Sequence, residues 1–196
     1  VLQITNTFGS PFLHDFARNP AYADSFIVRY PSILLSVSQM SEVFFILTIP
    51  YFLGRFGIKA VMLMSMVAWM LRFGLFAFGD PSATGFVLLM LSMIVYGCAF
   101  DFFNISGSVF VEQEVSTDIR ASAQGLFMTT VNGIGAYFGS VLSGMAVDYF
   151  SVDGVKDWQT IWLVFAAYVL VLAVVFYFSF NYHHASKNSE MRTVAH

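Results

Sequence analysis

The chain has 196 residues, of which 58% are hydrophobic and only 11% charged, with a net charge of −3 and a mean hydropathy of +0.72. Soluble domains carry about 25% charged residues, so the composition excludes an ordinary soluble domain and points to a membrane protein. The slightly acidic balance gives no electrostatic footprint for nucleic acid, and a lone cysteine, Cys98, cannot form an internal disulfide.

Six apolar segments follow one another: residues 1–16, 31–53, 58–78, 85–111, 121–147 and 159–180. The first would reach about 24 Å as a helix at ~1.5 Å per residue, short of a hydrocarbon core of about 30 Å. It is expected to be the remainder of a transmembrane helix, with the chain a piece of a longer protein. In the second segment, Pro31 stands at a helix start, where its missing N–H is harmless. Pro50 stands inside the helix and is expected to kink it. Most of the other segments exceed the ~20 residues needed to span. The fifth carries Gly135 and Gly139 at GxxxG spacing, continued by Ser140 and Gly144. Such a face lets helices approach closely, either for packing or as a sliding surface. The fold expected is all-α and integral to the membrane, a six-transmembrane-helix bundle over residues 1–180. A polar tail, residues 181–196, follows and is expected to be disordered.

Basic residues set an orientation. The connections after the second and fourth segments, with the tail, hold Arg55, Lys59, Arg120, Lys187 and Arg192. The other side holds Arg18, Arg29 and Lys156. The excess favours a cytoplasmic C-terminus under the positive-inside rule.

Two acids, Glu42 and Asp101, stand inside apolar runs. An ionised carboxylate at a bilayer centre costs at least ~2.5–3.5 kcal/mol, so such residues face a bundle interior or a water-filled route and mark a path for ions or substrate. Each has company at helical spacing: Gln39 with Glu42, and Asn104 with Asp101, beside Phe100, Phe102 and Phe103. Gln3 and Asn6 make a third i, i+3 pair in the first segment. Residues three apart share a helix face. Three such faces turned inward would line one cavity with amides, carboxylates and aromatic rings, suited to a hydroxyl-bearing ligand with a flat ring. The same amides could instead serve as interhelical hydrogen-bonding groups. Arg72, in the third segment, could snorkel to the surface or pair with a buried acid. His14 and Asp15 close the first segment near a membrane surface. His183 and His184 fall in the tail. No metal-ligand spacing, phosphate loop or GxSxG nucleophile stands in the sequence.

The segment Gly54-Arg55-Phe56-Gly57-Ile58-Lys59 is a basic, glycine-containing turn between two membrane helices. It resembles the loop signature of the major facilitator superfamily. Longer stretches carry a stronger resemblance: YPSILLSVSQMSEVFFILTIPYFLGRFGIK, MLMSMVAWMLRFGLFAFGDP, YGCAFDFFNISGSVFVE and IRASAQGLFMTTVNGIGAYFGSVLSG. Over nearly its whole length the chain is similar to the C-terminal half of the bacterial nucleoside:proton symporters. The resemblance implies that the six segments are helices 7 to 12 of a twelve-helix inner-membrane carrier whose first six helices are missing here. It implies nucleoside-binding positions at Gln3 and Asn6, at Gln39 and Glu42, and at Phe100 and Asp101. Asn104 and Arg72 are secondary candidates, and Gly54, Arg55, Gly57 and Lys59 form the cytoplasmic loop motif. A carboxyl taken out of water favours its neutral form, which suits Asp101 or Glu42 to proton coupling, with Asp101 preferred. The proton gradient would be the driving force; no cofactor, metal or enzyme activity is expected. A carrier for another polar solute such as a sugar, and a membrane interaction protein that transports nothing, are the competing readings.

Overall fold

The computed structural model describes residues 1–180, and the tail, with His183 and His184, lies outside them. The described chain is mostly helical. In order it comprises α1 (Leu2–Asp15), a short α2 (Phe26–Arg29), α3 (Pro31–Phe78), α4 (Ala83–Glu114), α5 (Arg120–Thr129), a π-helical turn (Thr130–Ile134), α6 (Gly135–Tyr149), a two-stranded hairpin and α7 (Trp158–Ser179). Three helices, α3, α4 and α7, are long and apolar enough to cross a membrane.

The 48-residue helix α3 is two arms, 31–56 and 58–78, that meet at Gly57. Gly57 has φ 75° and ψ 168°, a conformation that glycine adopts at no steric cost. The arms fold back on one another, bringing Arg72 Nη1 within 3.5 Å of Ser38 Oγ. Pro50 keeps helical dihedrals, so the break lies in the Gly-Arg-Phe-Gly turn rather than at the proline. Lys59, one residue into the second arm after Ile58, donates from Nζ to the Tyr177 carbonyl at 2.8 Å and covers the Tyr177 ring. That contact satisfies a carbonyl in the last turn of α7.

Helix α4 packs along both arms of α3. The closest approach is at Gly97, where a Cβ would fall 2.6 Å from the Ser41 carbonyl and 2.8 Å from the Glu42 nitrogen. Ser41 Oγ shares its proton between the Ser38 carbonyl of its own helix at 2.7 Å and the Met93 carbonyl at 3.1 Å, and accepts from the Gly97 N–H at 3.1 Å. One hydroxyl thus spans the two ends of a single turn of α4. Further along, Ser65 Oγ donates to the Ala99 carbonyl, and Ser92 Oγ to the Arg72 carbonyl at 3.2 Å. These small residues let backbones come together and supply the hydrogen bonds that lipid cannot.

The main core runs from α1 and α7 through both arms of α3 to Met93, Tyr96 and Ala99 of α4. Trp162 of α7 is fully buried among Phe12, Phe73 and Phe76, with ring centroids 4.9 to 5.7 Å away. The hairpin pairs Ser151–Val152 with Val155–Lys156 around Asp153 and Gly154, both with positive φ. It is tied to α1 through Asp15, which accepts from Trp158 Nε1 at 2.9 Å and faces Lys156 and Arg18 at 3.4 and 3.5 Å. Asp157 caps α7 by accepting from the Thr160 N–H, and hydrogen bonding from the Thr160 hydroxyl, then from that N–H, holds its carboxyl below the usual carboxylate range.

Candidate functional site

The expected site residues divide into two adjoining places. Gln3, Phe100 and Asn104 line a cavity of about 270 Å³, together with Ser65, Trp69 and Asn132. Glu42 and Asp101 lie outside its wall, in the contact between α3 and α4. Helix geometry explains the division. Tyr96, Phe100 and Asn104 recur every four residues on α4, as do Gly97 and Asp101, one position further round. The first face carries the stacked rings of Tyr96 and Phe100, parallel within 1° and 5.8 Å apart. Asn104 Nδ2 donates to the Phe100 carbonyl at 2.9 Å, leaving the amide oxygen to the cavity side. The second face carries the close approach to α3, so Asp101 is buried there, 5% exposed.

Asp101 Oδ2 is buried and has no hydrogen-bond donor among the described residues. The two acids interact with one another electrostatically. Glu42 is half-buried, lies beside the Tyr96 hydroxyl and is within electrostatic reach of Arg72. The Ser41–Gly97 contact, one residue away, is what fixes this geometry. Asn6 and Gln39 are exposed on the surface of the described bundle and do not reach the cavity.

Arg72 does not snorkel. It is 1% exposed, and Nη1 donates to the Ser92 carbonyl at 2.7 Å and lies 3.5 Å from Ser38 Oγ. Its guanidinium covers the rings of Tyr96 and Phe76 at 4.4 and 4.9 Å. The reciprocal Arg72–Ser92 bonding anchors the side chain inward. No ion pair within 4.0 Å joins it to an acid among the described residues. Arg72 holds the ring of Tyr96, and Tyr96 joins Glu42 on one side to Phe100 on the other.

Sequence reasoning missed the buried serines and Asn132. The serines have the low helix propensity and small size of a close-packed membrane interface, a signal visible at Ser38, Ser41 and Ser65. Asn132 is a polar residue inside the fifth apolar segment, the same signal that singled out Gln3 and Asn104. Gly139 of that segment meets Gln3 of α1, with a Cβ position 3.7 Å from Gln3 Cβ, whereas Gly144 has nothing within 4 Å. The GxxxG face is therefore only partly used for packing here. No group of three or more His, Cys, Asp or Glu side chains converges among the described residues.

Residues 1–185 match the nucleoside H+ symporter family. The chain belongs to that family. It is 79% identical over 196 residues to the xanthosine permease of Escherichia coli (strain K12), covering all of this chain and 47% of that protein. It is 59% identical over 195 residues to the nucleoside permease NupG of the same organism, again covering all of this chain and 47% of the relative. A crystal structure of nucleoside transporter NupG superposes with a TM-score of 0.88 at 61% identity, over 93% of this chain and 45% of that one. The chain spans about half the length of the curated relatives it matches. These relatives are permeases, not enzymes, and as a family member with apolar helices the chain is a multi-pass membrane protein.

Proposed function

We propose that the full-length protein is a nucleoside:proton symporter of the major facilitator type, and that this chain supplies its C-terminal half. The carrying observation is the pair of acids, Glu42 and Asp101, set in the α3–α4 contact beside a cavity walled by amides and aromatic rings. Counting α3 as two spans that meet at Gly57, and α1 and the α5–α6 run as spans too, gives six, equivalent to helices 7 to 12. The basic turn at Arg55 and Lys59 lies at the same end as the close of α7. That is the arrangement expected for a cytoplasmic C-terminus in a bacterial inner membrane.

Transport would follow from two six-helix halves rocking around a midplane site. Phe100 would stack on the base, while Gln3 and Asn104 offer amides from the cavity wall; Asn6 and Gln39, exposed on this half, would reach the substrate only where the other half of the carrier closes over it. Asp101 is the proton carrier in this reading. An ionised carboxylate there has no donor to offset its desolvation, whereas the acid form brings its own O–H. Glu42, beside the Tyr96 hydroxyl, would accept from a ribose hydroxyl and sense the charge on Asp101. The proton gradient drives accumulation and no cofactor takes part.

The test is uptake into proteoliposomes by the full-length protein. Asp101→Asn should abolish accumulation driven by an inward proton gradient while retaining downhill exchange. Accumulation that persists with the parental pH dependence would remove Asp101 from the proton path. Competition by nucleosides but not by sugars separates this carrier from one for other polar solutes.

A further inference from the structure

We infer that Asn132, presented by the π-turn between α5 and α6, is a further substrate-contacting residue that reads the edge of the bound base. The inference rests on the cavity being the nucleoside site.

The run from α5 to α6 meets the rest of the bundle along a stripe that changes register. In α5 the inward positions are Arg120, which pairs with Glu112 of α4, and Gln124, which donates to the Ser108 carbonyl at 2.7 Å. Phe127 continues the stripe against Gly107. In an unbroken helix the stripe would pass through positions 131, 135, 138 and 142. In α6 the inward positions are instead Gly139, against Gln3, and the buried Ser143 and Val147. The stripe has moved by one residue.

The π-turn makes this shift. Gly135 N–H donates to the Thr130 carbonyl five residues back, so one extra residue is accommodated in the repeat. At the shift both registers face the cavity, which is lined by Val131 and Gly135 from one and by Asn132 and Ala136 from the other. A straight helix would offer only the apolar first pair. The irregular turn therefore brings an amide to the wall opposite Phe100 and Asn104.

Asn132 has no structural task there. Its side chain is exposed, and its Nδ2 lies 3.6 Å from the sulfur of Met128, one turn back in its own helical run. It bridges to no other described element. An amide both donates and accepts, and a base edge presents a carbonyl beside an N–H or ring nitrogen. Bases held on aromatic rings are read by hydrogen bonds to those edges.

The experiment is initial-rate uptake of radiolabelled uridine and xanthosine by the full-length carrier. Asn132→Ala is expected to raise KM about tenfold with Vmax within twofold of the parent, and Asn132→Gln to recover part of the loss. Phe100→Ala is run alongside. A raised KM for Phe100→Ala with an unchanged KM for Asn132→Ala overturns the role of Asn132 and leaves the cavity reading standing. Unchanged KM in both variants overturns both. A fall in Vmax at constant KM also overturns it, because Asn132 would then act in the conformational cycle and not in binding. Size-exclusion profiles in detergent establish that each variant folds.

Discussion

The α3–α4 pair and the α5–α6 run are both apolar helices with polar residues inside them, yet they use those residues in opposite ways. Along α3 and α4, Ser41, Ser65, Arg72 and Ser92 are buried and bonded across to the facing backbone. Along α5 and the π-turn no residue is buried, and in α6 only Ser143 and Val147 are. Its exposed side chains include Asn132, Tyr137 and Leu142. The serines and Arg72 of the first region have partners within the chain and fix its shape, while Asp101 Oδ2 beside them has none among the described residues. In the second, Arg120 and Gln124 at the start of α5 are bonded to α4, whereas Asn132 in the π-turn bonds to no other element among the described residues and is left to meet something else. The first region should therefore lose stability on substitution, and the second should lose function without losing the fold.

The sharpest way to break this contrast is Arg72→Met. It removes a buried guanidinium that serves the Ser92 carbonyl and two aromatic faces. The loss is expected to be about 2–4 kcal/mol, from a charge-assisted hydrogen bond of about 1.5–3 kcal/mol and the cation–π contacts at about 0.5–2 kcal/mol each, with Arg72→Lys intermediate because a point charge cannot cover two rings at once. Thermal unfolding of the full-length protein in detergent measures it. Parental stability in Arg72→Met would mean that the α3–α4 contact does not depend on its polar groups. A smaller effect is expected at Gly97→Ala. The added methyl would meet the Ser41 backbone at 2.6 Å, where neither helix backbone can yield cheaply, and overpacking of this kind costs about 1–3 kcal/mol. Because Glu42 follows Ser41, the same variant should impair uptake beyond its effect on stability. Ser41→Ala comes next: it leaves the helices their close approach but removes a neutral bridging hydroxyl, worth about 0.6 kcal/mol on average in membrane helices.

Much of the fold was legible because hydropathy and glycine placement act locally. The turn at Gly57 followed from GRFGIK, whereas i, i+3 spacing did not keep its pairs together: Gln3 lines the cavity and Asn6 does not. The division of the site was not legible. Spacing put Asp101 and Asn104 on one face, but each face is broad, and only the close approach at Gly97 decides that Asp101 turns to α3 while Phe100 and Asn104 turn to the cavity. Arg72 was left between snorkelling and pairing with a buried acid, because its hydrogen-bond partner, the Ser92 carbonyl, is a backbone atom that no sequence pattern names. The π-turn was equally invisible. It is a one-residue change of register, set by packing on two neighbours, within a segment whose glycines had drawn attention for a different reason.

The smallest expected effect lies in the second region and bears on what that region faces. Gly144 has no atom within 4 Å of where a Cβ would stand, and it sits inside α6 with ordinary helical geometry. Gly144→Ala should thus be neutral or stabilising by about 0.4–1 kcal/mol, through reduced freedom of the unfolded chain. Ala at this position keeps the fold of the described bundle on any account. If uptake by the full-length variant falls while thermal stability holds, the Ser140–Gly144 face must be met closely by a part of the carrier beyond this chain during the transport cycle. If uptake is unchanged, that face meets only lipid or water. The glycine spacing would then serve the single contact at Gly139, where α6 crosses Gln3 at the cavity wall.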